Sequence, residues 1–103
     1  MDQRKLLEQI ADSINSQIDP EEIILFGSRA KGSYNQSSDI DIAVISADFK
    51  DLNHRERYEK VIENIREVTG DIPVDLKCYT PEEFERGTDS FLPSTIRKEG
   101  ISI

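Results

Sequence analysis

The sequence is poor in cysteine, contains no tryptophan and has no long apolar run. Cys78 is the one cysteine among 103 residues. A single cysteine excludes an intrachain disulfide framework and a zinc site built from several thiolates, and we expect it to be a small core residue. No segment approaches the roughly eighteen apolar residues of a membrane-spanning helix, and the first residues lack the apolar stretch of a signal peptide. We therefore expect a cytoplasmic protein that does not enter a membrane.

Basic residues are also scarce relative to acidic ones. Thirteen Lys and Arg stand against twenty-one Asp and Glu, which gives a formal net charge of −8. This charge repels polyanions at long range, so it disfavours stable nucleic-acid binding and RNA ends as substrates. Any phosphate-bearing ligand must then be held by local groups. The length of the chain favours one domain over residues 1–103, with a modest core.

Apolar spacing predicts alternating helices and strands. Steps of three and four residues indicate helices, and alternating or short continuous apolar runs indicate strands. In chain order, the predicted elements are a helix over about 2–17, a strand at 23–26, a polar loop or short helix at 27–38, a strand at 39–45, a helix over about 52–68, a strand at 73–79, a helix from Thr80 and, after a broken helix, an edge strand following Gly100. This order predicts an α/β fold, with a small mixed sheet of three to four strands packed on helices.

The segment after the first strand has the composition of a phosphate-binding loop. Gly27 and Ser28 follow a buried strand directly. Backbone amides at such a turn point outward and can contact phosphate oxygens, and the glycine permits a close approach. Ser28 adds a hydroxyl, while Arg29 and Lys31 add positive charge. These four residues are the predicted phosphate contacts.

Two aspartates open the second strand. Asp39 and Asp41 are two residues apart, so their carboxylates leave the same face of the strand. Two such carboxylates repel each other unless a cation lies between them, and hard oxygen ligands favour magnesium or manganese over zinc. Asp75, on the polar face of the third strand, joins them if that strand lies beside the second. It would then act as a further metal ligand or as the base for an acceptor hydroxyl.

The sequence GSRAKGSYNQSSDIDIAV, residues 27–44, resembles the signature of the nucleotidyltransferase superfamily. That signature is Gly-Ser, ten further residues and Asp-x-Asp. The whole chain is similar to the minimal nucleotidyltransferases in its order of helices and strands. The resemblance implies a nucleotidyltransferase fold, two magnesium ions on Asp39 and Asp41, nucleotide phosphates on Gly27 and Ser28, and Asp75 as the third carboxylate.

Members of this size resemble the antitoxin half of two-gene systems whose other half is a helical HEPN ribonuclease. The resemblance implies AMP transfer from ATP to a tyrosine of that toxin, and hence a hetero-oligomeric complex. A core this small also leaves little surface for a deep acceptor pocket, which favours an acceptor carried on a protein.

Two other functions compete with this interpretation. The chain could neutralise a toxin by binding alone, without catalysis, although the intact Gly27, Ser28, Asp39 and Asp41 set argues against loss of activity. It could also transfer a nucleotide to a small acceptor such as an aminoglycoside. The absence of a second domain to form an acceptor pocket disfavours that function.

Overall fold

The computed structural model describes residues 2–87 and 91–103. Its elements, in chain order, are helix α1 (Gln3–Asn15), strand β1 (Glu22–Phe26), helix α2 (Ser28–Lys31), strand β2 (Ile40–Ile45), a 3₁₀ turn (Ala47–Phe49), helix α3 (His54–Thr69), strand β3 (Val74–Tyr79), helix α4 (Pro81–Arg86), helix α5 (Phe91–Glu99) and strand β4 (Ile101–Ser102). The predicted α/β class is confirmed, and the edge strand after Gly100 is present.

The four strands form one mixed sheet in the order β3-β2-β1-β4. β1 is antiparallel to both β2 and β4, and β2 is parallel to β3. Parallel neighbours need a crossover connection, which α3 supplies between β2 and β3. The central strand β1 is buried on both faces, because sheet neighbours flank it and helices cover it.

Side-chain alternation divides the core between the two faces of the sheet. The larger cluster joins α1 and α3 to one face, and its fully buried members include Ile10, Ile14, Leu25, Ile40, Ile42 and Ile65. The smaller cluster joins α4 and α5 to the other face through Ile24, Phe26, Ala43, Ile45, Phe84 and Ile96. Cys78 is buried in the larger cluster, as predicted, and burial raises the pKa of its thiol to about 12, so it is not a nucleophile at neutral pH.

Side-chain caps define where the helices begin. Thr80 and Glu83 form a capping box at the start of α4, the helix predicted from Thr80, and Pro81 lies in its first turn. Asn53 and Glu56 form a second capping box at α3. Gly70 ends α3 at a positive φ of 61°, just beyond the predicted end of this helix at about residue 68.

A buried arginine ties α3 to β3 and α4. Arg57 is 5% exposed, and its guanidinium donates to both carboxylate oxygens of Glu83, at 2.6 and 3.1 Å. It also donates to the carbonyl oxygens of Leu52 and Cys78. The hydrogen bonds from Arg57 lower the pKa of Glu83 to about 2. These contacts fix the edge strand β3 against the helices.

None of the helices in the described ranges is long and apolar enough to span a bilayer.

Candidate active site

On the sheet face of the smaller core cluster, an aspartate lies at the start of β2. Ala43 and Ile45, in the second half of β2, pack under α4 and α5. Asp41 lies on the same face, two residues before Ala43, because side chains alternate along a strand. At this end of the face, Asp41 takes the β2 position beside the buried Phe26 of β1 and is itself half-buried. The carboxylate of Asp41 is therefore partly accessible to solvent.

The structure brings two of the predicted carboxylates side by side. Asp41 on β2 pairs with Asp75 on the parallel strand β3. Paired residues of adjacent strands lie on the same face, with strands about 4.8 Å apart. Asp39 precedes β2 directly and is exposed, as is Asp75, whereas Asp41 is half-buried. All three predicted acids thus belong to one end of the sheet.

Gly27 brings the predicted phosphate loop against this carboxylate pair. The preceding residue, Phe26, pairs with Asp41 across the antiparallel β1–β2 ladder. Gly27 has φ 72° and ψ −157°, a conformation that is essentially restricted to glycine. A Cβ at this position would overlap Oδ2 of Asp41. The glycine is required both by its backbone conformation and by the close approach of Asp41.

Helix α2 begins at Ser28, immediately after Gly27. The amides of Ala30 and Lys31 both donate to the carbonyl oxygen of Gly27, at 3.1 and 3.2 Å. No side chain caps the start of this one-turn helix. Ser28 is half-buried beside the turn. The predicted loop of Gly27 and Ser28 therefore lies next to Asp41.

Arg29 has a different environment from the one the sequence suggests. It is 4% exposed, and its guanidinium donates to the Ser38 and Gln36 carbonyl oxygens at 2.9 and 3.0 Å and to Gln3 Oε1 at 3.1 Å. Tyr34 stacks over the guanidinium at 5.1 Å. Arg29 thus holds the loop that leads into Asp39. Phosphate binding by this residue would require it to leave these partners.

Lys31 remains on the surface. Its ammonium lies 3.3 Å from Oε2 of Glu99, and both side chains are substantially exposed. Surface ion pairs of this kind contribute little to stability, so Lys31 can exchange its partner at small cost. Phosphate binding by Lys31 stays a prediction.

Lys77 is a site residue that the sequence reasoning missed. It lies two residues after Asp75 on the same face of β3, and its Nζ is 3.3 Å from Asp75 Oδ1. The alternation of β3 contained the signal, since it places Asp75 and Lys77 on one face. The positive charge of Lys77 offsets part of the negative charge that Asp75 and Asp41 bring together.

The charges of the site act on Asp41 in opposite directions. Burial is the largest influence and raises the pKa of Asp41 above its ordinary value, and the negative charges of Asp75 and Asp39 raise it further. The positive charge of Lys77 opposes this shift. The ionised form of Asp41 is therefore held in an unfavourable environment that a bound cation would relieve.

Sequence comparison identifies the family. Residues 6–103 match the profile of the nucleotidyltransferase domain. The chain belongs to this family. No protein of curated function matches this sequence.

Solved structures agree with this assignment. A candidate nucleotidyltransferase from Sulfolobus solfataricus is 30% identical, with a TM-score of 0.68 over 95% of this chain and 76% of its own. A toxin–antitoxin complex with AMP-PNP contains a chain that is 26% identical, with a TM-score of 0.67 over 92% of this chain and 69% of its own. A mutant of the toxin–antitoxin pair MntA–HpeT is 23% identical, with a TM-score of 0.58 over 99% and 71%, and shows the shared fold.

The acids of this nucleotidyltransferase suit a hard divalent cation. Asp39, Asp41 and Asp75 supply only oxygen atoms, the donor type that magnesium selects. The close pairing of Asp41 with Asp75 and the raised pKa of Asp41 indicate an excess of negative charge that a cation would offset. Within residues 2–87 and 91–103, no three acidic, His or Cys side chains already stand at metal-ligand spacing. A bound ion would therefore draw these carboxylates closer together.

Proposed function

We propose that this nucleotidyltransferase is the antitoxin of a two-protein system and that it transfers AMP from ATP to a hydroxyl of its HEPN toxin, a tyrosine in the first instance. The observation that carries the proposal is the direct pairing of Asp41 with Asp75 beside Gly27. It gathers acids from two strands at the end of a glycine-containing turn. A merely solvated strand end needs no such close approach.

The chain's own groups have distinct roles in this reaction. Gly27 permits close approach of the triphosphate, and Ser28 and the amides at the start of α2 contact its oxygens. Asp39 and Asp41 would hold magnesium, and two ions are expected where Asp75 serves as a further ligand. The metal supplies charge neutralisation and lowers the pKa of a bound hydroxyl.

Asp75 is the base in the proposed transfer step. Asp75 accepts the proton of the acceptor hydroxyl, whose oxygen forms a bond to the α-phosphorus of ATP. The bond from that phosphorus to the oxygen that bridges to the β-phosphate breaks, and pyrophosphate leaves with the electron pair. The products are the AMP ester of the acceptor, pyrophosphate and a proton. Lys77, 3.3 Å from Asp75, orients the base.

Relatives support the partner and the nucleotide in this proposal. The toxin–antitoxin structure at 26% identity contains AMP-PNP, an analogue of ATP. This similarity favours a hetero-oligomer with a toxin over a small acceptor such as an aminoglycoside. A neighbouring reading frame that encodes a helical protein with an Arg-x4-His motif would support the HEPN identity of the toxin.

The deciding experiment mixes the purified chain with the product of that neighbouring gene, magnesium and ATP labelled at the α-phosphate. We expect label on the partner and a mass increase of one AMP on a tyrosine. Asp41→Asn should remove the label, whereas Asp12→Asn, an exposed acid on α1, should keep it. Neutralisation of the toxin by Asp41→Asn as effectively as by the wild type would instead favour the antitoxin that acts by binding alone. Label on an aminoglycoside with none on the partner would favour the small-acceptor enzyme.

A further inference from the structure

The outer edge of β3 is the one part of the sheet beside the carboxylates that no described strand covers. β3 is the terminal strand of the sheet. The Ile40 amide donates to the Pro73 carbonyl oxygen and the Ser46 amide to the Tyr79 carbonyl oxygen, both at 2.9 Å. Odd-numbered residues of β3 therefore bond to β2, because the direction of backbone groups alternates along a strand. The even-numbered residues, Val74, Leu76 and Cys78, direct theirs to the outer edge.

This free edge is bounded at one end. The Cys78 carbonyl oxygen already accepts from Arg57 Nη1 at 3.3 Å. The outward groups that remain include the amides of Leu76 and Cys78 and the carbonyl oxygens of Val74 and Leu76. They match the spacing of an added antiparallel strand of a few residues. The length of the edge therefore limits any added strand to a short segment.

A groove with basic walls runs along the same edge. It has a volume of about 460 Å³, and α3 lines it with His54, Arg55 and Tyr58 opposite Leu76 and Lys77 of β3. Arg55 is paired with Glu59 and Lys77 with Asp75, so each cation also has an acidic neighbour. Exposed ion pairs are weak, so Arg55 can exchange Glu59 for an acidic group of a ligand beside His54.

We infer that this edge is the docking surface for the acceptor. An extended segment of the partner protein, with acidic residues flanking its hydroxyl-bearing residue, adds antiparallel to β3 as a fifth strand. The inference rests on the proposed transfer to a protein hydroxyl and specifies how that hydroxyl reaches the site. Main-chain hydrogen bonds to Leu76 and Cys78 supply the affinity, and the groove supplies the selectivity.

The register of such a strand favours tyrosine as the acceptor residue. A residue opposite Asp75 places its side chain on the face that carries Asp75 and Asp41. The ring of a tyrosine carries its hydroxyl across Asp75 toward Asp41 on the next strand. A serine hydroxyl sits directly on Cβ and stays above the added strand. The edge therefore selects a long hydroxyl side chain.

The experiment uses the full chain and a capped seven-residue peptide with a central tyrosine, valine and then threonine on each side, and aspartate at both ends. Amide hydrogen exchange is followed by NMR without ATP. We expect exchange at Leu76 and Cys78 to slow by on the order of tenfold at saturation. The Asp75 and Lys77 amides, which already face β2, serve as the internal reference and should change little. Unchanged exchange at Leu76 and Cys78 with millimolar peptide overturns the inference.

Methylated peptides test the register. In an antiparallel addition the tyrosine opposite Asp75 directs its own amide away from β3, while the residues on either side direct theirs toward it. N-methylation of the two valines should abolish the protection, and N-methylation of the tyrosine should preserve it. Equal binding of both methylated peptides overturns strand addition.

Two arginines provide a matched test of the groove. Arg55 and Arg4 are 87% and 89% exposed, and each pairs with a glutamate four residues later. Arg55→Glu should weaken peptide binding about tenfold, whereas Arg4→Glu, on α1, should leave it unchanged. Equal effects of the two variants would assign the attraction to net charge and overturn the role of the groove. If exchange at Leu76 and Cys78 slows when the protein concentration is raised without peptide, two copies of the chain pair at this edge. That result would also contradict the inference.

Failure of docking and failure of the proposed function give different results. Protection of Leu76 and Cys78 without AMP on the peptide, when ATP and magnesium are added, leaves the docking surface intact and contradicts the transfer. AMP on the peptide with unchanged exchange at Leu76 and Cys78 supports the transfer and contradicts the docking surface.

Discussion

Gly27 lies so close to the carboxylate of Asp41 that no side chain fits at position 27. A Cβ on Gly27 would overlap Oδ2 of Asp41, so the turn after β1 and the carboxylate of β2 are built against each other. The contact links two segments that the sequence separates by the whole polar loop. It also explains why a glycine, and not merely a small residue, begins the phosphate loop.

Replacement of this glycine tests the contact. Gly27→Ala should lower the free energy of unfolding and weaken ATP binding, because the alanine must adopt φ 72° and displace Asp41. Gly32→Ala is the matched control, since Gly32 has φ 82° but no atom of the described residues lies within 4 Å of its Cβ position. The control should cost only the backbone strain, about 1 kcal/mol. Urea unfolding and calorimetric ATP titration measure both variants. Equal losses in the two variants would show that the Asp41 contact is unimportant.

The raised pKa of Asp41 predicts an unusual dependence on pH. Because its pKa in the folded protein lies above the unfolded value of 3.8, the folded state binds the proton more tightly. The contribution of Asp41 to stability is therefore greatest below pH 3.8 and is lost as pH rises through the folded pKa. At pH 7 without metal, Asp41→Asn should raise the unfolding midpoint, whereas Asp12→Asn should not. Thermal unfolding in chelator measures this.

Magnesium should reverse the destabilising effect of the ionised Asp41 carboxylate. A cation that binds only the folded wild type stabilises it by about 2.7 kcal/mol at a free concentration of about 100 Kd. Asp41→Asn should lose this gain together with AMP transfer. An equal magnesium-induced shift in the variant would place the metal elsewhere.

The sequence predicts those parts of the site that depend on local pattern. Ser28 and Asp39 are candidates because their spacing resembles the nucleotidyltransferase signature, and the extent of α3 follows from apolar periodicity. The pairing of Asp41 with Asp75 depends on strand order, which only long-range packing decides. The alternation of polar and apolar residues along β3 predicted the face on which Asp75 lies. It did not predict which strand lies beside β3.

Arg29 illustrates the limit of local pattern more sharply. Its neighbours in the sequence suggest a phosphate contact, but its partners are carbonyl oxygens of Gln36 and Ser38, in a loop without periodicity. Nothing in the spacing of these residues predicts that the loop folds back over the guanidinium. Irregular segments are set by such individual hydrogen bonds, so a sequence pattern does not specify their path.

A conservative substitution distinguishes a structural role of Arg29, which holds the loop, from a role as a phosphate contact. Lysine keeps the charge but not the fork of donors, so Arg29→Lys should leave carbonyl oxygens unpaired and lower stability by about 2 kcal/mol. Arg4→Lys, at an exposed position, should change stability little. A phosphate contact predicts the reverse pattern, with stability intact and ATP affinity reduced. Chemical denaturation and ATP titration of the two variants separate these outcomes.

Asp75→Asn is the sharpest test of the third carboxylate. If Asp75 takes the proton of the acceptor hydroxyl, the triphosphate is still held by Gly27, Ser28 and the metal at Asp41, so ATP should bind with little change. Transfer should then fall by about 10²- to 10⁴-fold, the range for loss of a positioned general base. Lys77→Met is the companion variant, because it removes the cation 3.3 Å from Asp75 but keeps the carboxylate. It should lower the rate by a smaller factor than Asp75→Asn and leave the ATP affinity unchanged. Single-turnover rates and ATP affinities of the two variants provide both readouts. An unchanged rate in Asp75→Asn would mean that its pairing with Asp41 is structural and that the base comes from the partner protein.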